Sequence, residues 1–324
     1  MSGPAFLLAA ALLPAAWASD ALDEAQRAYL SAPAPESPDP LAASFLLRAH
    51  ARTGDLRALE AALRDLKALS KNKAQSARFA MACLEAAQAT GSSGWASRAR
   101  SALDGLLEAR ARDWVLVSAL ARAAQALESR DYLLAAQKAA GALKESAGPA
   151  CVQALLDLYE ASFDCGLLDR ALARGKALSA SKDEAAALPL LRLAQFAKRK
   201  ELREAAERLL AAPKLSFEGL CALDFAQAKP KQILIAGGLD EPGTRELLRL
   251  VHSRFLPNKI VLVAADDKAR ARLAKHMPFV RGVRPIEGKP AAYICLNYAC
   301  ELPTNDPRTA ADILDGKDPL SLMK

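Results

Sequence analysis

Pairs of short apolar helices, repeating about every 35 to 40 residues, constrain the fold of this chain more than any other feature. The first pair is LAASFLLRAHAR and, after TGD, LRALEAALRDLKALS. In the second helix Leu56, Leu59, Leu63 and Leu66 recur at helical spacing and form one apolar stripe. A repeat of this period is typical of stacked helical hairpins. The pattern returns at residues 74–89 and 94–109, 113–128 and 131–144, 149–163 and 167–179, and 184–197 and 200–211, with a last helix at 216–228.

Two closures are compatible with such an array. An open solenoid of the tetratricopeptide kind would bind a peptide in its groove, whereas a closed ring would enclose a central cavity, as in (α/α)6 toroids. The signature residues of the tetratricopeptide repeat are absent, which favours the ring. We therefore predict a mainly α protein in which residues 41–229 form a trimmed (α/α)6-toroid-like array of helical hairpins.

Residues 230–324 follow a different pattern, that of a small α/β segment. KQILIAGG, KIVLVAA and AAYICL are short apolar runs typical of strands, and GTRELLRLVHSRF and KARARLAKHM between them have helical periodicity. The order strand, helix, strand, helix, strand predicts a small parallel sheet with right-handed crossovers.

The first 18 residues predict a signal peptide. Residues 6–13 form an apolar core, and Ala16-Trp17-Ala18 matches a small-x-small cleavage site. We expect cleavage after Ala18 and a secreted or periplasmic protein; the alternative is a buried first helix in a cytoplasmic protein. Residues 19–40 are predicted to be a proline-rich linker that ends in SAPAPESPDP. No apolar run reaches the roughly 20 residues of a transmembrane helix.

The charge of the chain does not predict a nucleic-acid-binding protein. Lys and Arg number 44 against 37 Asp and Glu, which gives a net charge of +7. The basic residues are interleaved with acidic ones, as in KRKELREAAERLL, and such helical faces are ordinarily solvated. The densest basic stretch, KARARLAKHMPFVRGVR, lacks the stacking aromatics of a nucleic-acid module.

Two stretches of the C-terminal segment resemble a known family. LLRLVHSRFLPNKIVLVAADD and MPFVRGVRPIEGKPAAYICLNYACELPTNDPRTAADIL are similar to the C-terminus of the spermatogenesis-associated, thioredoxin-domain family, whose bacterial members are the YyaL-like proteins. In the helical part DPLAASFLLRAHARTGDLRALE, ACLEAAQATG and VQALLDLYEAS also resemble it. The similarity covers most of the chain after residue 40.

The resemblance implies an N-terminal thioredoxin-like domain and a six-hairpin toroid related to N-acylglucosamine and cellobiose epimerases. This sequence departs from the family in two respects. The predicted leader and linker stand in place of the thioredoxin-like domain. LKALSKNKAQSARFA runs straight on where the family has a long loop with a Gly-rich stretch and a His-Phe-Glu block. Because such loops line the mouth of the cavity, their absence predicts that the family's catalysis is lost.

Histidines cannot supply epimerase chemistry within the array. Proton abstraction from a sugar needs a base with a pKa near neutrality, for which histidine is the usual residue. His50 lies in the helical array, whereas His252 and His276 belong to the α/β segment. A two-histidine mechanism therefore cannot be assembled within the ring.

Carboxylates are the remaining candidates for sugar chemistry. Asp157 and Glu160 are i,i+3 neighbours on one predicted helix, and Glu85 lies on an equivalent helix. Glycosidase carboxylates flank the bond from opposite sides, about 5–10 Å apart, which two residues on one helix face do not arrange. Trp95 and Trp114 lie near helix starts and could stack on a sugar, but a tryptophan there also commonly packs between helices. Asp157, Glu160, Glu85 and Trp114 are thus candidate cavity residues.

The pair Cys295 and Cys300 is predicted to be structural. No second Cys/His pair lies nearby to complete a zinc site, so we expect no metal. The C-x4-C spacing is also not that of a C-x-x-C redox motif. Either a disulfide across the strand end or two small buried side chains would fit the pair. Near Gly237 and Gly238 the G-x-G-x-x-G and GK[ST] spacings are absent, so we expect a tight turn and no cofactor.

The sequence therefore predicts a non-catalytic relative of the six-hairpin carbohydrate-active proteins, acting as a scaffold or as a binding protein for a carbohydrate or protein ligand. One alternative is a residual epimerase- or glycosidase-like enzyme that uses cavity carboxylates. The other is a helical-repeat adaptor that binds a protein. A hollow centre lined by aromatics and carboxylates would favour the enzyme, a filled centre the scaffold, and an open groove the adaptor.

Overall fold

The computed structural model describes residues 20–71, 76–228, 230–296, 299–300 and 302–317. The predicted signal peptide and its cleavage site lie outside these residues. The described part is mainly helical, with a small sheet near its C-terminus, as the sequence predicts. None of its helices combines the length and the apolarity that crossing a membrane requires.

Six helices form an inner ring because their sequences are apolar on nearly all sides. WVLVSALARAAQA, residues 114–126, is an example, and such a helix is stable only when protein surrounds it. Each inner helix contacts the next and the last contacts the first, so the ring is closed. The inner helices are α2 (Pro40–Thr53), α4 (Ala77–Thr90), α6 (Trp114–Ala126), α8 (Pro149–Ser162), α10 (Ala187–Ala197) and α12 (Phe217–Gln227).

Six more helices surround the ring and are amphipathic. KELREAAERLL, residues 200–210, buries Leu202, Ala205, Ala206 and Leu210 and exposes its charges. The outer helices are α1 (Ala21–Ser31), α3 (Leu56–Leu69), α5 (Ser93–Glu108), α7 (Arg130–Gly141), α9 (Cys165–Leu178) and α11 (Lys200–Leu210). All but α1 pack on the inner helix that precedes them, and α1 fills the outer position where α12 meets α2. The toroid is thus complete in the described chain.

The turns from inner to outer helices place one left-handed residue at an equivalent position in five hairpins. These residues are Gly54, Gly91, Glu128, Phe163 and Lys198, with φ between 49° and 72°. Glycine adopts this conformation without a steric penalty, and the other three residues adopt it at some cost. Because the five residues recur every 35–37 positions, each inner helix ends at a comparable level of the ring.

The α/β segment contains one sheet with the strand order β2-β1-β3-β4. Its elements are β1 (Lys231–Ala236), α13 (Pro242–His252), β2 (Lys259–Ala264), α14 (Asp267–His276), β3 (Ala291–Leu296), β4 (Ala299–Cys300) and α15 (Pro307–Leu314). β1 and β2 are parallel, as predicted, but β3 is antiparallel to β1, so the prediction of a wholly parallel sheet is wrong. Residues 277–290 carry the chain to the end where β1 finishes, and Ala291 therefore pairs with Ala236.

The α/β segment covers the mouth of the ring at the C-terminal ends of the inner helices. Gln88, near the end of α4, donates from Nε2 to the backbone oxygen of His252 at 2.6 Å. Gln232 of β1 donates from Nε2 to Oε1 of Gln195, near the end of α10, at 3.0 Å. Both α8 and α10 also contact β2. This end of the ring is therefore closed by the sheet and its connecting loops.

Cys295 is disulfide-bonded, and in the pairing of β3 with β4 its backbone lies opposite Cys300. Cys83, Cys151, Cys165 and Cys221 are free and buried.

The predicted linker over residues 19–40 is wrong in its first half. Helix α1 occupies this region, and its Leu22 and Tyr29 are buried in the core. The Tyr29 hydroxyl donates to Oδ2 of the buried Asp65 at 2.5 Å. The prolines begin only at Pro33, so nothing in the preceding residues prevents a helix. The proline-rich stretch is limited to the connection between α1 and α2.

If α1 completes the core, shortening Leu22 should destabilise the protein. Leu22 is fully buried, so we expect Leu22→Ala to lower the free energy of unfolding by about 2–4 kcal/mol in chemical denaturation. Arg27→Ala, at an exposed position on the same helix, is the control and should change it by less than about 0.5 kcal/mol. Equal effects of the two variants would mean that α1 is not part of the folded core.

Candidate functional site

Each inner helix carries a charged residue near the C-terminal end of the ring, and the signs alternate around it. We call these residues the charged ring: Arg48 on α2, Glu85 on α4, Arg122 on α6, Asp157 on α8, Arg192 on α10 and Asp224 on α12. The first five each precede the left-handed turn residue of their hairpin by six positions. The repeat thus places opposite charges side by side in the middle of an apolar ring.

Asp157 is the centre of the charged ring. It is 2% exposed, and its carboxylate accepts from Arg192 Nη1 at 2.6 Å and from Arg122 Nε at 3.2 Å. The Ser118 hydroxyl and the Gln153 amide also donate to it. Burial alone would raise the pKa of Asp157, but the two arginines outweigh that effect and lower it. Asp157 is therefore held as an anion with its oxygens occupied.

Glu160 shares Arg192 with Asp157. Arg192 Nη2 donates to Glu160 Oε2 at 2.8 Å, and the other oxygen, Oε1, accepts from the backbone N–H of Val261 at 3.0 Å. This N–H lies on the free edge of β2, so Glu160 satisfies a donor that the sheet leaves unpaired. Burial raises the pKa of Glu160, and Arg192 opposes that only in part.

Two further contacts extend the network on either side. Arg122 Nη1 lies 3.5 Å from Glu85 Oε1, whereas Glu85 Oε2 is buried with no hydrogen-bond partner among the described residues. On the far side, Arg48 Nη1 lies 3.5 Å from Asp224 Oδ2 and donates to Asn258 Oδ1 at 3.0 Å. Charges of the ring are therefore matched by neighbours, which is the condition for burying them.

Lys259, the first residue of β2, is held over the centre of the ring. Its ammonium donates to the backbone oxygen of Leu256 at 3.3 Å. Burial lowers its pKa to about 8, Glu160 opposes the shift, and the nearby arginines add to it. The α/β segment thus contributes a cation of its own to the charged ring.

A second tier of polar residues lies one helical turn closer to the α/β segment. Gln88, Gln125, Glu160 and Gln195 each precede the turn residue of their hairpin by three positions. Gln88 and Glu160 bind backbone groups of the α/β segment, and Gln195 accepts from a side chain of that segment. Gln125 donates instead to the backbone oxygen of Asp157 at 3.3 Å. This tier attaches the sheet to the ring.

The cavity left at the centre is small. It measures about 90 Å³ and is lined by the members of the charged ring other than Asp224, together with Lys259 and the loop residues Phe255, Leu256 and Pro257. A volume of this size holds a few water molecules and lies far below the roughly 300–1,000 Å³ of ordinary ligand pockets. No cluster of three or more metal-ligating side chains occurs in the part of the chain that the structure describes.

Three of the four candidate cavity residues come together. Asp157, Glu160 and Glu85 all line the central cavity. Trp114 does not: it is the first residue of α6, eight positions before Arg122, which corresponds to about 12 Å along the helix. It packs, partly buried, against the core at the opposite end of the ring. The prediction that Trp114 faces the cavity is therefore wrong, because a helix start and a helix end lie at opposite mouths.

The arginines and Lys259 were missed by sequence reasoning. A search for acid–base groups favours carboxylates and histidines, so their buried counter-ions are overlooked. A readable signal was available, since a charged residue of alternating sign recurs at the same position of each hairpin.

Together the fold and the site define a class of protein: a closed ring of six helical hairpins, with buried ion pairs at its centre and an α/β segment over one mouth. Among proteins of known sequence, the chain is similar to spermatogenesis-associated protein 20 of Homo sapiens, with 31% identity over 198 residues, and to the Mus musculus protein of the same name, with 32% over 198 residues. Each match covers 48% of this chain and 25% of the relative. The Rattus norvegicus protein is 38% identical over 101 residues, which cover 31% of this chain and 13% of the relative.

This chain thus corresponds to a quarter or less of the length of these relatives. No family model matches it. No solved structure matches it either.

Removing Arg192 should be costly, because it leaves two buried carboxylates without their shared counter-ion. We expect Arg192→Met to lower the free energy of unfolding by about 3–5 kcal/mol in urea denaturation. Adding Glu160→Gln to this variant removes one unpaired charge and should recover part of the loss. Arg208→Met, on the exposed face of α11, is the control and should have little effect. A loss of less than about 1 kcal/mol for Arg192→Met would contradict the role given to the network.

His252 should make stability depend on pH. It ends α13 and is 7% exposed, and burial, with a smaller effect of Lys259, lowers its pKa from 6.5 to about 3. Below pH 6.5 the unfolded chain binds a proton that the folded chain does not, so stability falls as the pH falls towards 3. We expect His252→Leu to gain about 2 kcal/mol relative to the wild type between pH 7 and pH 5.

Urea denaturation of the wild type and of His252→Leu at the two pH values measures this difference. A His252→Leu variant whose pH dependence matched that of the wild type would contradict the assignment.

Proposed function

We propose that this protein is a non-catalytic relative of the six-hairpin carbohydrate-active proteins and acts as a scaffold or binding protein. The observation that carries the proposal is the filled centre of the ring, where acidic groups are paired with arginines around a cavity of about 90 Å³. The space in which a toroid would hold a sugar is thus largely occupied by the protein's own side chains.

The arrangement of the carboxylates supports the same proposal. Asp157 and Glu160 both bind Arg192, so they lie on one side of any group that entered the cavity. Glycosidase chemistry needs two carboxyl groups on opposite sides of the bond. Asp157 also already accepts four side-chain donors, which leaves it a poor nucleophile or base.

The comparison with relatives supports the loss of cavity loops. The alignment with the human protein is 198 positions long. It contains only 48% of this 324-residue chain, which is fewer than 198 residues. The relative therefore has extra residues within the matched region. This agrees with the proposal that the loops around the mouth of the cavity are shorter here than in the YyaL-like proteins.

One observation favours a residual carbohydrate-active enzyme as the second candidate. The environments of two neighbouring carboxyl groups shift their pKa values in opposite directions, up for Glu160 and down for Asp157. Such a divergence is common where one group acts as an acid and the other as a base. Substrate would have to displace the loop at Phe255–Pro257 to reach them.

The adaptor hypothesis has less support. A closed ring offers no concave groove of the kind that an open solenoid presents to a peptide. A protein partner would have to bind the outer surface.

A secreted or periplasmic location also remains part of the proposal. The disulfide at Cys295 supports it, because disulfides persist mainly in oxidising compartments.

Incubation of the purified protein with N-acetylglucosamine, mannose and cellobiose, followed by sugar chromatography, tests the proposal. We expect no epimerised or hydrolysed product, because the cavity is too small to admit these sugars. Turnover that is lost in Asp157→Asn or Glu160→Gln, and kept in the surface control Glu108→Gln, would overturn the non-catalytic assignment and establish the enzyme.

A further inference from the structure

A second and much larger cavity lies beside the charged ring. It measures about 850 Å³ and is a cleft open to solvent at the seam where α12 meets α2. Its walls are the C-terminal ends of these helices, the start of β1, and the loop that carries Phe255, Leu256 and Pro257. This size falls in the range of pockets that bind small molecules.

Most charges in the cleft are already paired. Arg48 is paired with Asp224, and Asn258 bridges the two by accepting from Arg48 and donating to Asp224 at 2.8 Å. Arg52 Nη2 lies 3.0 Å from Asp23 Oδ1. The charges of these two arginines and two aspartates sum to zero, so the four residues offer no net charge to a ligand.

Lys231 is one of the two lining charges that lie outside this balanced set. It is the first residue of β1 and is partly buried, and its ammonium donates to the backbone oxygen of Leu314. None of the described carboxylates lies within 4.0 Å of it, and the nearby Asp315 is paired with Arg254 at 2.7 Å. An ammonium group has three N–H donors, and the Leu314 oxygen uses one of them. The cleft thus contains a partly desolvated cation with donors available.

A second cation is within reach of the same cleft. Arg203 of α11 lines it and forms an i,i+4 pair with Glu207 at 2.8 Å. Arg203 is exposed, and surface pairs of this kind contribute little free energy. The guanidinium can therefore exchange this partner for an anion in the cleft at small cost.

The remaining wall of the cleft is mostly apolar, with Thr53 and Gln227 as its polar members. Phe255, Leu256 and Pro257 form one part of it, and Ala226 and Ala228 form another. A ligand that fits both walls has a negative group at one end and an apolar body at the other.

We propose that this cleft binds a small organic anion, whose carboxylate or phosphate contacts Lys231 and Arg203 and whose apolar part packs against Phe255 and Leu256. This names the ligand class of the binding protein proposed above and rests on that proposal. The ligand does not enter the small central cavity, because the loop at Phe255–Pro257 lines both cavities and lies between them.

Isothermal titration of the full chain at low salt with three probes tests the charge and the apolar part separately. The probes are phenyl phosphate, inorganic phosphate and the neutral phenyl β-glucoside. We expect saturable binding of phenyl phosphate, binding of inorganic phosphate that is about tenfold weaker, and none of the glucoside up to about 10 mM. Absence of saturable binding of phenyl phosphate, or equal binding of the glucoside, would overturn the proposal.

Variants locate the binding at the cleft. Lys231→Met should weaken phenyl phosphate binding about tenfold, whereas Lys231→Arg, which keeps the charge, should retain most of it. Lys67→Met, at an exposed position on α3, is the matched control and should bind as the wild type does. Equal binding by Lys231→Met and the wild type would show that the anion binds elsewhere.

Because Lys231 also bonds the chain at Leu314, Lys231→Met could fail to fold. Arg203→Met tests the same cleft from an exposed position and should weaken binding about threefold; unchanged binding in this variant would then count against the proposal.

The outcome is separable from that of the sugar assay. Sugar turnover would overturn the non-catalytic function whatever the titration shows. Failure of anion binding without turnover would remove this site and leave the non-catalytic assignment standing.

Discussion

The pairing of Asp157 with Arg122 and Arg192 is the interaction on which the rest of the molecule depends. Three successive inner helices, α6, α8 and α10, meet through this one carboxylate. In an interior built from alanine and leucine, an uncompensated charge at that depth would cost several kcal/mol. The helices must therefore keep a fixed rotation and a fixed height relative to each other, because a shift of either would separate the ions. Apolar packing alone would tolerate more variation.

The same network links the ring to the α/β segment. Arg192 binds Glu160, and Glu160 accepts a hydrogen bond from the backbone N–H of Val261 on the free edge of β2. A contact inside the ring therefore determines where the sheet lies. The position of the sheet in turn determines where the loop at Phe255–Pro257 lies, and this loop separates the central cavity from the outer cleft. Two spaces of very different size thus result from one set of ion pairs. The small central cavity is surrounded by ion pairs that stabilise the fold. The large outer cleft has the size and the mixed lining of a ligand pocket.

The sequence predicts the helical array well, because each helix has a strong periodic signal and a clear turn. The starts of α2, α3 and α8 fall within a residue or two of the predicted positions. Helix α1 was missed because proline content was averaged over a region in which the prolines are confined to one end. The antiparallel β3 was missed because strand order along the chain does not report direction, which here depends on an irregular connection of 14 residues between α14 and β3.

Less of the candidate site could be predicted. The acid–base chemistry of carboxylates predicts Asp157, Glu160 and Glu85 as cavity residues. In the structure Arg122 and Arg192 lie beside them, so these carboxylates are members of buried ion pairs. Pairing of this kind is a three-dimensional property, since the partners lie 32 or more positions apart in the chain.

The alternation of sign around the charged ring has a consequence for how such a protein can change its size. Charges of alternating sign can be placed around a circle without two like charges as neighbours only when their number is even. Loss or gain of a single hairpin would bring two like charges together at the seam, in a place where water cannot screen them. Removing two hairpins at once would restore the pattern. The electrostatics therefore impose a parity rule on this architecture: duplication or deletion of repeats is tolerated in pairs, and an odd change requires a compensating charge reversal elsewhere in the circle.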